Sequence, residues 1–263
     1  MTKLGGLGSL LLIALAPAAA VADDYQFEAR GGFDHLGSDT DIDVASLGGT
    51  WYFAPVSTNN VPLAEAAYLG RASFLGGGLA LMDFLDTTLD AEDVKVGYYI
   101  PGTMFYAAVG ALHEQNIIAF SSTFTETRYD TRWFGTLGIA PLDGLLVTTD
   151  FHEYGYDPNI TARYVGKLPN NHFYAGSVTL SDTGYGETAY GLDFDYYFDD
   201  STSVGVGFDG GGGRFDSDAR FVYGGNRLEL RAEKFFSKSW AAGVSAYTSD
   251  FHDGLSVHVT WRH

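Results

Sequence analysis

From Tyr190 to Phe198 the chain alternates strictly. Tyr190, Leu192, Phe194, Tyr196 and Phe198 fall on one side, and Gly191, Asp193, Asp195 and Tyr197 on the other. Successive side chains of a β-strand point to opposite faces, so this segment reads as a strand with one apolar and one polar face. The pattern recurs at 203–208, 227–233, 240–247 and 255–262, and earlier at 25–33 and 93–100. Weaker versions lie near 40–53, 63–75, 103–112, 124–139, 145–153, 159–167 and 172–181. The count is about 14 segments of roughly ten residues, the spacing expected of transmembrane strands. A soluble barrel would turn its aromatics to water and bury Asp193, Asp195 and the Arg227–Glu233 charges, each unpaired one costing several kcal/mol. The sequence therefore predicts an all-β fold, a closed antiparallel transmembrane β-barrel of about 14 strands, with 12 or 16 as alternatives.

The N-terminus fits export. Lys3 precedes the apolar run Leu10–Leu15, and small residues ending in Ala20-Val21-Ala22 lead into Asp23-Asp24. That is the layout of a secretory signal peptide with an Ala-x-Ala cleavage site, so residues 1–22 are expected to be a cleaved leader and residues 23–263 the barrel. Beyond the leader no stretch approaches the 18 or so apolar residues of a membrane helix. With no cysteine, neither disulfides nor thiolate metal sites can form. Removing Lys3 leaves 14 basic residues (15 − 1) against 33 acidic ones, a formal charge of −19. Such a charge repels nucleic acid and attracts cations.

Connections of two kinds are expected. Short turns fall at Pro101-Gly102, Pro141–Gly144, Leu168–Asn171, Asp199–Ser201 and Ser237–Ser239, and longer loops at Phe74–Asp86, His113–Ser122, Ser181–Gly186 and Asp209–Gly225. Ala54–Pro62 breaks the rule, being long where a short turn is due. Aromatics at Trp51–Phe53, Tyr196–Phe198, Phe235, Phe236, Trp240 and Trp261 gather on one side, as an interfacial girdle would.

Two segments carry a family resemblance. One is Tyr52-Phe53-Ala54-Pro55-Val56-Ser57 followed by Pro62-Leu63-Ala64-Glu65-Ala66-Ala67-Tyr68-Leu69-Gly70-Arg71-Ala72-Ser73. The other is Leu230–Phe236 with Ala242-Gly243-Val244. They resemble a family of outer-membrane porins of Gram-negative bacteria. The resemblance implies a porin-like barrel in that membrane, in contact with lipids and lipopolysaccharide and delivered by the barrel assembly machinery. Such barrels usually end on an aromatic residue; here His263 takes that position.

The interior parity collects charges of both signs: Glu28, Arg30, Arg71, Asp93, Lys95, Arg132, Asp150, Arg163, Asp193, Asp195, Arg227, Glu229, Arg231 and Glu233. They are the candidate pore-lining residues of a channel for small hydrophilic solutes or ions, cation-preferring on the net charge. The alternative is that they pair with one another and fill the lumen. The Gly76–Gly78 stretch would let the loop 74–86 bend inward and present Asp83 and Asp86 as a constriction. A non-conducting structural or adhesive barrel is a second reading, and a barrel hydrolase a third. The acid-flanked His35 and His152 sit beside no recognisable serine motif, so catalysis is not expected. Acidic groups at Asp39, Asp41 and Asp43, or Asp86, Asp90, Glu92 and Asp93, could bridge lipopolysaccharide through divalent ions. No metal-site spacing and no phosphate-loop context is present, so no cofactor is expected. Monomer and trimer both remain open.

Overall fold

The computed structural model describes residues 24–37, 41–84, 87–121, 124–152, 155–182, 188–211, 214–215, 221–222, 226–250 and 252–263. The expected leader, residues 1–22, lies outside them. The strands are β1 (Asp24–Gly37), β2 (Ile42–Ser57), β3 (Phe74–Phe84), β4 (Thr87–Tyr99), β5 (Phe105–Ser121), β6 (Phe124–Leu142), β7 (Leu145–His152) and β8 (Gly155–Lys167). They continue with β9 (Phe173–Asp182), β10 (Thr188–Tyr197), β11 (Thr202–Gly211), the two-residue β12 (Arg214–Phe215) and β13 (Phe221–Val222), then β14 (Arg227–Ser237), β15 (Trp240–Ser249) and β16 (Asp253–Arg262). Every strand but the short β12–β13 pair joins one closed antiparallel barrel, in which neighbours in sequence are neighbours in space and β16 pairs with β1.

Closure is completed by His263. Its N–H donates to the Phe27 carbonyl at 2.9 Å, and its carbonyl accepts from Gln26 and Phe27 N–H, both at 2.8 Å. The irregularity between Tyr25 and Phe27 in the β1–β2 register is where both amides turn toward that one acceptor. The His263 ring stacks on Trp261 at 5.9 Å, so the imidazole occupies the aromatic position on the outer wall.

Parity is resolved by exposure. Leu47, Trp51, Val94, Val109, Leu137, Leu180, Leu192, Leu230 and Val257 are exposed on the outside, the band that faces lipid chains in a membrane barrel. The alternating residues turn inward. At the end of the barrel where the chain enters β1, tight turns join β4 to β5, β6 to β7, β8 to β9, β10 to β11 and β14 to β15; Gly102 (φ 73°) and Gly144 (φ 79°) adopt left-handed backbone there. A Cβ on Gly144 would lie 2.2 Å from the Val165 carbonyl oxygen.

Two sequence expectations are corrected at this end. Residues 63–75 do not form a strand, and Phe74–Phe84, expected within a loop, forms β3, so the strand number is kept while one strand moves along the chain. The alternation Leu63, Glu65, Ala67, Leu69 looked strand-like. Pro62 ahead of an Ala-rich run and Gly70 behind it are helix signals instead, and the chain forms a 3₁₀ turn (Leu63–Glu65) and the single-turn helix α1 (Ala66–Leu69). The aromatic clusters also split: Trp51, Phe53, Phe198 and Phe236 face out, whereas Tyr52, Tyr197 and Phe235 are buried inside.

Leu230 is 60% exposed on the outer wall, opposite Val206 and Ala246. Leu230→Arg is expected to destabilise the refolded barrel by about 2–4 kcal/mol, the cost of an arginine near the bilayer midplane, measured by urea unfolding in lipid vesicles.

Candidate functional site

The lumen is built on glycine. Side chains that would otherwise project across it lie flat on the wall over a glycine of the neighbouring strand: Phe74 over Gly97, Phe134 over Gly110, His258 over Gly243 and Tyr247 over Gly254. The same device arranges charge. Asp195, Gly205 and Arg231 stand in one register row across β10, β11 and β14. Arg231 crosses the bare Gly205 backbone to reach a carboxylate two strands, roughly 9.6 Å, away. Its Nε and Nη2 donate to Asp195 at 2.7 and 2.9 Å and its Nη1 to Asp193 at 2.9 Å. Glu233, Gly243 and His258 repeat the row across β14, β15 and β16, with 3.3 Å between His258 Nε2 and Glu233 Oε1.

The sequence candidates fall as follows. Glu28, Arg30, Asp93, Lys95, Arg132, Asp150, Arg163, Asp193, Asp195, Arg227, Glu229, Arg231 and Glu233 occupy interior positions of their strands. Arg132 pairs with Glu114 and lies 3.5 Å from Asp130. Arg227 reaches Glu229 at 2.7 Å and stacks over Tyr247. Lys95 lies over the Phe134 ring, and Asp150 accepts from Thr136 at 2.6 Å. Two candidates are corrected. Arg71 sits on no strand; at φ 48° it ends the helical segment and donates to the Ala140 and Leu142 carbonyls, both at 3.2 Å. Asp83 belongs to β3, paired with Asp43 on the outward parity, because the glycines before it extend the strand instead of bending the chain inward. Asp86 lies outside the described residues. His35 and Asp43 meet at 2.8 Å on the outer wall, away from the lumen, and the side chain of His152 lies outside the described residues. Of the acidic groups, Asp39 is also outside them, and Asp93 faces inward while Glu92 faces out.

Another element crosses the mouth of the barrel, and of the candidates only Arg71 lies on it. Residues 58–73, between β2 and β3, form a strap across the mouth of the barrel. Leu63 packs on Phe235 and Ala241, Ala66 on Tyr25, Tyr52 and Val56, and Ala64, Tyr68 and Leu69 on Val165, Phe173, Ala175 and Tyr197. Polar ties fix it to the far wall: Leu63 N–H donates to the Asp200 carbonyl at 2.7 Å, and Arg262 Nη1 to the Leu63 carbonyl at 2.8 Å. The Tyr68 hydroxyl lies within bonding distance of the Gly144 and Arg163 carbonyls, at 3.1 and 2.8 Å. Burial pushes that phenol up to about 12, so it remains a donor. Glu65, 3% exposed, accepts through Oε1 from Arg163 Nη2 at 2.6 Å and from the Tyr197 hydroxyl. Arg262, 5% exposed, bonds Glu28 at 2.6 Å and lies between the Tyr25 and Phe235 rings.

Sequence reasoning missed Glu65, Tyr68, Tyr197 and Arg262. Their signal was present: a glutamate and a tyrosine in a run with Pro before and Gly after, and an arginine on the interior parity of the last strand.

Residues 1–121 match the model of a family described as "Putative general bacterial porin". The fold is that of a closed 14-stranded β-barrel of the outer-membrane type. The crystal structure of the Acinetobacter baumannii outer membrane protein Omp33 superposes on it with a TM-score of 0.71 at 19% identity, covering 92% of this chain and 99% of that one. The CymD monoaromatic hydrocarbon channel superposes with a TM-score of 0.60 at 7% identity, covering 91% and 89%. No curated protein matches the sequence.

In this barrel Gly205 is a spacer for charge: an added Cβ would lie 2.0 Å from Asp195 Oδ1 and 2.7 Å from Arg231 Nε. Gly205→Val is expected to part Arg231 from Asp195 and to cost about 1–3 kcal/mol, the range for overpacking. Its unfolding midpoint, compared with that of outward-facing Val204→Ile, checks this.

Proposed function

We propose that this porin-like barrel conducts small hydrophilic solutes and ions by passive diffusion, prefers cations, and is gated at its turn end by the strap. The strap supports the gate reading: it crosses the mouth in one segment, and that mouth holds the three clusters of buried apolar side chains found among the described residues. The elements it touches, from β1 to the β10–β11 turn and β16, surround the opening. In a membrane barrel the short-turn end faces the periplasm, so the gate is periplasmic.

Cation preference is supported by the interior ion clusters, which do not balance. Arg231 bridges two carboxylates, Asp193 and Asp195, and Arg132 lies against Glu114 and Asp130, so each group carries a net −1 (+1 − 2). Fixed charge of one sign on a narrow, low-dielectric wall raises the local concentration of counter-ions. Residues 1–22 act in this reading as the export leader, and the barrel assembly machinery delivers the barrel. The specific observation favouring the structural or adhesive alternative is the strap itself, because a strap that never leaves would close the lumen.

Single-channel recording separates the two. Replacing residues 58–72 by a two-residue turn is expected to raise conductance severalfold over the full chain in a planar bilayer; equal conductance would exclude the strap as a gate. The Asp193→Asn/Asp195→Asn pair changes its cluster from −1 to +1. The reversal potential under a salt gradient is expected to move toward zero, and an unchanged value would remove these residues from the conduction path.

A further inference from the structure

Glu65 is a costly residue to seat in a strap that packing already holds. Leu63, Ala66 and Tyr68 supply apolar contact, and four backbone carbonyls, of Leu63, Gly144, Arg163 and Asp200, take part in its polar ties. Replacing a buried ion pair by apolar groups is often neutral or stabilising, so anchoring alone does not call for a carboxylate. The fit is also incomplete: Oε1 takes both donors, while Oε2 is buried with no hydrogen-bond partner. An arginine can hold a carboxylate through two parallel bonds, but the tethered side chain uses only one nitrogen of Arg163.

The two donors belong to the permanent wall. Arg163 is on β8 and Tyr197 on β10, and Tyr68 of the strap closes over the guanidinium at 4.7 Å. Arginine and tyrosine converging on one acid oxygen define a recognition site for a carboxylate, independent of which chain supplies it. We propose that Arg163 and Tyr197 form a carboxylate-binding site of the lumen, that Glu65 is its built-in occupant, and that solute carboxylates release the strap by taking its place. This deepens the reading of the strap as a gate and rests on it. A side chain on a short tether acts as a competitor at an effective concentration on the order of millimolar, so a free monocarboxylate displaces it only at that level or above. The gate thus responds to an abundant solute and stays shut to traces.

The test uses the full-length barrel with acetate as probe and nitrate as control at equal ionic strength. In planar bilayers, added acetate is expected to raise the open fraction of the wild type severalfold while nitrate does not. Glu65→Gln, whose amide gives up the charge-assisted bond, is expected to respond at roughly tenfold less acetate. Glu65→Ala removes the CH₂–COO⁻ portion and leaves a site of acetate's size and chemistry. Acetate, and not nitrate, is expected to raise its unfolding temperature, with no such difference for the wild type, whose site is filled. If strap removal leaves conductance unchanged but acetate still stabilises Glu65→Ala selectively, the gate fails and the site stands. If strap removal opens the pore but acetate acts no differently from nitrate on wild-type and Glu65→Gln gating and on Glu65→Ala stability, the carboxylate site is overturned. Should Glu65→Ala not refold, the gating comparison of wild type and Glu65→Gln decides.

Discussion

Every other feature of this barrel depends on the ring of backbone hydrogen bonds that closes at β1 and β16. In hydrocarbon an unpaired N–H or C=O costs several kcal/mol, and a sheet tolerates that environment only when it has no edge. The seam runs from Glu28↔Arg262 to Gly37↔Asp253 and is extended by His263, whose carbonyl takes two amides at once. Once the ring is shut, each strand has one face toward lipid and one toward the lumen, and parity alone assigns every side chain. The apolar half of the alternation needs no core to bury it, because the bilayer serves as its solvent.

Closure leaves the interior with a problem of space, since aromatics and charges from opposite walls converge on one lumen. Glycine resolves it repeatedly. Gly97, Gly110, Gly243 and Gly254 each receive a ring from the adjacent strand, and Gly205 lets Arg231 lie along the wall to Asp195. Large residues are thereby turned parallel to the surface, and their charges meet laterally. These ion pairs lie along the wall. A separate element, the strap, crosses the mouth and brings the buried apolar clusters there with it.

The strap differs in kind from the wall. Its residues are tied to six or more strands through side chains and a few carbonyls, with backbone bonds to the wall such as Leu63 N–H to the Asp200 carbonyl at 2.7 Å and Phe53 N–H to the Ser73 carbonyl at 2.9 Å. Detaching it breaks none of the barrel ladder. In the gating we propose, the strap's own ties open while the ladder stays intact, because the free energy of local opening can be small while that of the barrel stays large.

Much of this was legible in the chain before any coordinates. Tyr190–Phe198 and Leu255–Trp261 declare two-faced strands, and parity placed Asp193, Asp195, Glu229 and Arg231 on the interior, since a period of two is a local property of the backbone. The strap was not legible as such. Leu63, Glu65, Ala67 and Leu69 alternate as a strand would, and only Pro62 and Gly70 argued otherwise. Asp83 was misplaced because a run of glycines permits a bend without requiring one, and pairing of Gly76–Gly78 with both β2 and β4 kept it straight. Local sequence determined which residues share a face and that the sheet must close in a membrane. Only the tertiary structure decided that Glu65 meets Arg163 and Tyr197, residues 98 and 132 positions away, because such contacts depend on barrel circumference and register, which no single strand encodes.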